Sequence, residues 1–130
     1  MSNDGAASPA LVELTVNDGE LSAPVLERLV SAAATRADLS IDRIVNALAA
    51  VDALVDATDQ IYANGDERKF SIVIAPGEIR LAVDGLQDAQ LESLLGATRL
   101  PELGSVIERM ASSVATEQNS EGTSLILAFT

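Results

Sequence analysis

The chain has 130 residues, of which 48% are hydrophobic and only 2% aromatic, and it carries a formal charge of −12. That length suits one domain with a single core built from Leu, Val, Ile and Ala. It has no cysteine and no histidine, so disulfides, thiolate metal sites, Cys nucleophiles and the commonest general base are all excluded.

A surface this acidic repels phosphate backbones, so direct nucleic-acid binding is not expected. Solubility alone accounts for such a charge, although a basic or mixed-charge protein partner fits it too. No apolar run reaches the roughly 20 residues of a membrane helix. The opening "MSNDGAASPA" lacks a basic start and an apolar stretch; it reads as a flexible tail over residues 1–9 rather than a signal peptide.

From residue 10 onward the chain reads as one domain. "LVELTV" alternates apolar and polar residues and predicts a strand. "NDGELS" follows as a turn. Pro24 then opens a helix capped by Ser22 or Ala23, with Leu26, Leu29, Val30 and Ala33 on its apolar side. Ser40 caps a second helix whose stripe is Ile41, Ile44, Val45, Leu48, Val51 and Val55, ending near Tyr62. Asn64–Gly65 marks a turn. "KFSIVIA" and "EIRLAVD" flank "PGE" and predict a hairpin.

"DAQLESLLGAT" predicts a short helix, and "ELGSVIERMASSVA" a longer one with Leu103, Val106, Ile107, Met110 and Val114 on one side, separated from it by Pro101. "EQNSEGT" reads as a turn before the closing strand "SLILAFT". Adjacent strands joined by a hairpin argue against a parallel doubly wound sheet. The order predicts an α+β two-layer sandwich, its sheet mixed but mostly antiparallel, with helices on one face.

The second helix also carries Asp52, Asp56 and Asp59. With Leu48 as zero, Val55 lies about 20° to one side, Asp59 about 20° to the other, Asp52 about 40° and Asp56 about 80° away. This puts Asp52 and Asp59 inside the stripe and Asp56 at its rim. Asp52 and Asp56, four apart, can converge on one ligand. They read equally as a solvated edge. Three carboxylates suit Mg²⁺ or Ca²⁺, but no Asp-x-Asp-x-Asp loop accompanies them. Arg68–Lys69 reads as a solvated strand start, and Ser112 and Ser113 have no histidine with which to form a hydrolase site.

Residues 11–130, from "APVLERLVSAAATRADLSIDRIVNALAAVDALVDATDQIY" to "LGSVIERMASSVATEQNSEGTSLILAFT", resemble in element order the anti-sigma factor serine-kinase family of the GHKL (histidine-kinase-like) ATPases. The resemblance implies a Bergerat-like fold and a Glu-x-x-x-Asn motif on the second helix. In that motif Asp52 stands where the family's base is Glu, and Asp56 where its Mg²⁺-holding residue is Asn. An Asp retracts the base by about an ångström, a costly displacement in catalysis, and Asp56 adds negative charge beside a triphosphate. The family's Asp-x-Gly-x-Gly is reduced to Asp84–Gly85. Its Gly-rich lid is reduced to Gly96 and Gly104 around Pro101, and Gly122–Thr123 is the one late match.

The nucleotide residues implied by resemblance are thus Asp52 as catalytic base if activity is retained, Asp56 as metal ligand, and Asp56, Asp84, Gly85, Gly104 and Thr123 around Mg-ATP. What the resemblance implies overall is a cytoplasmic regulator that binds a sigma factor or an anti-anti-sigma protein, with a degenerate ATP site and a capacity to form homodimers. The alternatives are an active ATP-dependent serine-protein kinase and a structural homo-oligomeric subunit sharing the sandwich.

Overall fold

The computed structural model describes residues 9–63, 65–100 and 104–130. Residues 1–8 of the tail expected over residues 1–9, Asn64 of the expected turn, and Pro101 and Leu103 lie outside the described residues. The elements in chain order are β1 (Ala10–Val16), α1 (Gly19–Arg36), α2 (Ile41–Ile61), β2 (Arg68–Ala75), β3 (Glu78–Leu86), α3 (Asp88–Ala97), β4 (Arg99–Leu100), β5 (Gly104–Ser105), α4 (Val106–Met110), β6 (Ser113–Asn119) and β7 (Gly122–Phe129).

Five strands form one sheet in the order β1-β2-β3-β7-β6, and β4 and β5 form a separate two-residue ladder. Every neighbouring pair in the large sheet is antiparallel. The α+β sandwich expected from the element order is present, but the sheet is wholly antiparallel rather than mixed. The reason is that β2–β3 and β6–β7 are both hairpins, and β7 returns alongside β3 against its direction.

Strand alternation sends one set of side chains to each face. Phe70, Ile72, Ile79, Leu81, Val83, Leu125, Leu127 and Phe129 join Leu26, Val30, Ala50, Leu54 and Ile107 of the helices in one buried cluster. The helices therefore cover one face only. Leu11, Glu13, Ser71, Arg80 and Ile126 point to the other face, which no helix among the described residues covers.

The helix starts follow from side-chain caps. Asp18 Oδ1 accepts from the Glu20 N–H at 2.9 Å, which begins α1 at Gly19. This corrects the start expected at Pro24, which instead lies inside the helix; the acceptor of Asp18 outcompetes the fixed φ of a proline one turn later. Ser40 Oγ accepts from the Arg43 N–H at 3.3 Å, as its position predicts. Before α3, Gln90 Oε1 accepts from the Gln87 N–H at 2.9 Å.

The last expected helix is corrected most. Among its described residues only Val106–Met110 is helical, capped by Ser105, and Ser113–Asn119 is strand β6. Val114 packs on the core from that strand. Ser112 and Ser113 are weak helix formers, and pairing with the apolar β7 satisfies the backbone of the stretch expected to be a turn. The hairpin tip shrinks to Ser120–Glu121, where Asn119 Oδ1 accepts from the Glu121 N–H at 3.0 Å.

Candidate functional site

The buried side of α2 is Ala47, Ala50, Val51, Leu54, Val55, Ala57 and Thr58, centred on Leu54. At about 100° per residue, Asp52 and Asp56 lie about 160° from Leu54 and Asp59 about 140°. All three are on the outward side, and Asp52 and Asp56 are exposed. This corrects the placement of Asp52 and Asp59 within the apolar stripe. Ile41, Val45 and Leu48 drew the expected stripe toward them. In fact Ile41 and Val45 are 78% and 58% exposed and share the outward side with the acids. One face of α2 thus runs from apolar at its start to acidic at its end.

Asp52 faces α1, where it hydrogen-bonds Glu27; that bond, and then the charge of Asp52, raise the Glu27 pKa above its ordinary value of 4.5. An open groove of about 870 Å³ runs beside this pair along α1, lined by Pro24, Glu27, Arg28, Ser31, Thr35 and Leu48 among others. Glu27 was not legible as a site residue, since nothing in its own helix pairs it with Asp52. Among the described residues no group of three or more carboxylates comes together as a metal cluster.

Asp59 is engaged elsewhere. It pairs with Arg68 Nη1 at the start of β2. Arg68 is only 2% exposed, which corrects the reading of Arg68–Lys69 as a solvated strand start. Its parity with Phe70 and Ile72 sends it inward. The guanidinium lies 5.9 Å from the centre of the Tyr62 ring. A Cβ on Gly19 would come within 2.9 Å of both Arg68 Nη1 and Asp59 Oδ1, so the first residue of α1 must be small. This cluster ties α1, α2 and β2 together, and Arg68 Nε is left without a hydrogen-bond partner. Burial raises the Tyr62 pKa, with the charge of Arg68 opposing the shift.

Asp84, on β3, lies opposite Lys69 of β2. Its Oδ1 accepts from Ser124 Oγ–H at 2.7 Å, on the uncovered face of the sheet. Gly85, with φ of 69°, begins a bulge that returns Leu86 to the covered side. Leu86 pairs with Thr123, which is buried. A Cβ on Gly122 would lie 2.7 Å from the Leu86 carbonyl oxygen, so β7 approaches β3 through a glycine. Gly104 sits in β5 opposite Leu100.

The structure therefore brings Asp52 and Asp56 onto the outward side of α2, and Gly85 and Thr123 to one end of the β3–β7 ladder. Asp84 is on the far side of the sandwich from Asp52 and Asp56. No helix among the described residues is long and apolar enough to cross a membrane. Compared with known proteins, the sequence matches no family model and no curated relative.

Proposed function

We propose that the protein is a regulatory binding module of the anti-sigma type, acting by protein–protein contact in the cytoplasm with a degenerate ATP site. The observation that carries this reading is the separation of the residues that would grip Mg-ATP. Asp56 faces solvent on the helical layer, Asp84 is bonded to Ser124 on the opposite sheet face, and Thr123 is buried between them. Residues so placed support the reading of a site that no longer grips Mg-ATP. The element order resembling the anti-sigma kinases supports the same reading, as does the outward side of α2, where Ile41 and Val45 continue into Asp52 and Asp56. A partner such as a sigma factor or an anti-anti-sigma protein would meet that side with apolar and basic groups.

Two measurements test this reading. A thermal melt with millimolar Mg-ATP should show no stabilisation, whereas a ligand at a hundred times its Kd adds about 2.7 kcal/mol. A saturable upward shift abolished by Asp56→Ala would instead support the active kinase. Titration of purified sigma factors and anti-anti-sigma proteins against the labelled chain should find at least one binder that Val45→Asp weakens. Binding by none would overturn the partner class.

A further inference from the structure

The two edges of the five-stranded sheet differ. β6 forms one and β1 the other. Beyond Val114, β6 runs Ala115, Thr116, Glu117, Gln118 and Asn119, all exposed. Polar and acidic on both sides, it is a blunted edge. β1 is built otherwise. Val12 and Leu14 pair with the buried Ile72 and Phe70, so they face the helices, where they pack on the core while staying half-buried. Leu11, Glu13 and Thr15 alternate with them on the open side, and Leu11 is 61% exposed.

All seven residues Ala10–Val16 pair with β2 without a shift of register. The strand therefore has no proline, lysine or bulge to turn another strand away. Among the described residues no strand lies beyond it, and no backbone hydrogen bond outside the sheet ladder engages Ala10–Val16. Its outer N–H and C=O groups form an unused half-ladder, about 24 Å long at the usual rise of a strand.

The charge on this edge selects what can pair with it. Glu13 is the midpoint of β1, is exposed, and has no cation among the ion pairs of the described residues. The nearby Lys69 is paired with Glu121. A second copy laid antiparallel along β1 in the full register would set Glu13 directly opposite Glu13, a destabilising cross-strand pair. It would also bring together two chains of charge −12. A lysine or arginine in the same place would instead be attracted by both.

We propose that β1 takes up an extended basic segment of another protein by antiparallel strand addition, with alternate apolar side chains against Val12 and Leu14 and a lysine or arginine opposite Glu13. The main chain supplies the affinity of such a contact and the alternating side chains its specificity. The site lies at the sheet edge and not on the helical layer, so it and the functional reading can fail separately.

The probe is a capped seven-residue peptide with valine at the odd positions and threonine, lysine and leucine at positions two, four and six. Laid antiparallel along β1, it sets its lysine opposite Glu13. Titrated to ~1 mM into the isotope-labelled full chain, it should shift the amide signals of Ala10–Val16 saturably and slow their hydrogen exchange. The same peptide with glutamate in place of lysine should bind about tenfold more weakly. Glu13→Lys should reverse that preference. Methylating the backbone nitrogens that face β1 should abolish binding, and methylating the alternate set should not.

No saturable shift at that concentration would overturn the proposal. So would shifts centred on β6 or on α1 and α2, or indifference to methylation of both sets. Equal binding of the lysine and glutamate peptides to the wild-type chain would overturn it too, and that comparison holds even where Glu13→Lys fails to fold.

Discussion

The two faces of the sheet are made by the same strands, yet they use different residues. Toward the helices β2, β3 and β7 present Phe70, Ile72, Leu81, Val83, Leu125, Leu127 and Phe129, all essentially buried. Toward the open side the same strands present Ser71, Ala82, Ser124 and Ala128 between a few charges. The covered face is where apolar area leaves water and stability is generated. The open face contributes backbone hydrogen bonds and shape. Alternation alone does not distinguish the two sides of a strand such as "RLAVDG"; side-chain size does.

The largest expected effect sharpens that contrast. Leu81→Ala, on the covered face, should cost about 3–4 kcal/mol in urea denaturation, and Ser71→Ala, on the open face of the neighbouring strand, less than about 0.5. Equal losses would mean that the open face is also packed. Next comes Arg68, the one buried charged group among the described residues. Arg68→Ala should cost about 2–4 kcal/mol, because it empties buried space and leaves Asp59 without its partner. Arg68→Met should recover part of the loss by refilling the space. If the alanine variant melts like wild type, the cluster is ornamental.

A smaller effect is expected where the two sides meet at the end of the β3–β7 ladder. Gly122→Ala should cost about 2 kcal/mol, because its φ of 137° and the Leu86 carbonyl both reject a Cβ. The smallest concerns the helical layer. Glu27 titrates above 4.5 because of its hydrogen bond to Asp52 and the charge of that group. A carboxylate whose pKa is raised by folding favours the native state below its unfolded value, and that contribution is lost as pH rises through the folded value. Asp52→Asn should therefore lower the Glu27 titration seen by carboxyl carbon NMR. It should also flatten the stability profile above pH 4.5. An unchanged Glu27 titration would separate the two residues.

Much of this was legible in the residues. The hairpin around Pro76–Gly77, the Ser40 cap and the strand at each end follow from alternation and turn chemistry. The α1 start was hidden because Pro24 is a stronger signal in sequence than Asp18, while in the structure the acceptor of Asp18 decides. The β6 strand was hidden because Val106, Ile107, Met110 and Val114 satisfy a helical period, and only pairing with β7 breaks it. The outward acids of α2 were misplaced for a related reason. Ile41, Val45 and Leu48 look like core, and the alanines that really pack, Ala47, Ala50 and Ala57, carry little hydrophobic weight. The partners Glu27 and Arg68 come from other elements, so no local pattern joins them to Asp52 and Asp59.

The β3–β7 ladder has a consequence for the order in which contacts form. The β2–β3 and β6–β7 hairpins join residues close in sequence, whereas Val83 and Leu125 meet only after α3 and α4 have been laid down between them. Closing loops of that length carries the larger entropic cost and sets the pace of folding. Mutations within the first hairpin, such as Ile72→Val, should then slow refolding in proportion to the stability lost. Val12→Ala, on the edge strand β1, should mainly speed unfolding. β1 pairs with β2 across a still longer stretch of chain, so that edge strand would be the last part of the sheet to set.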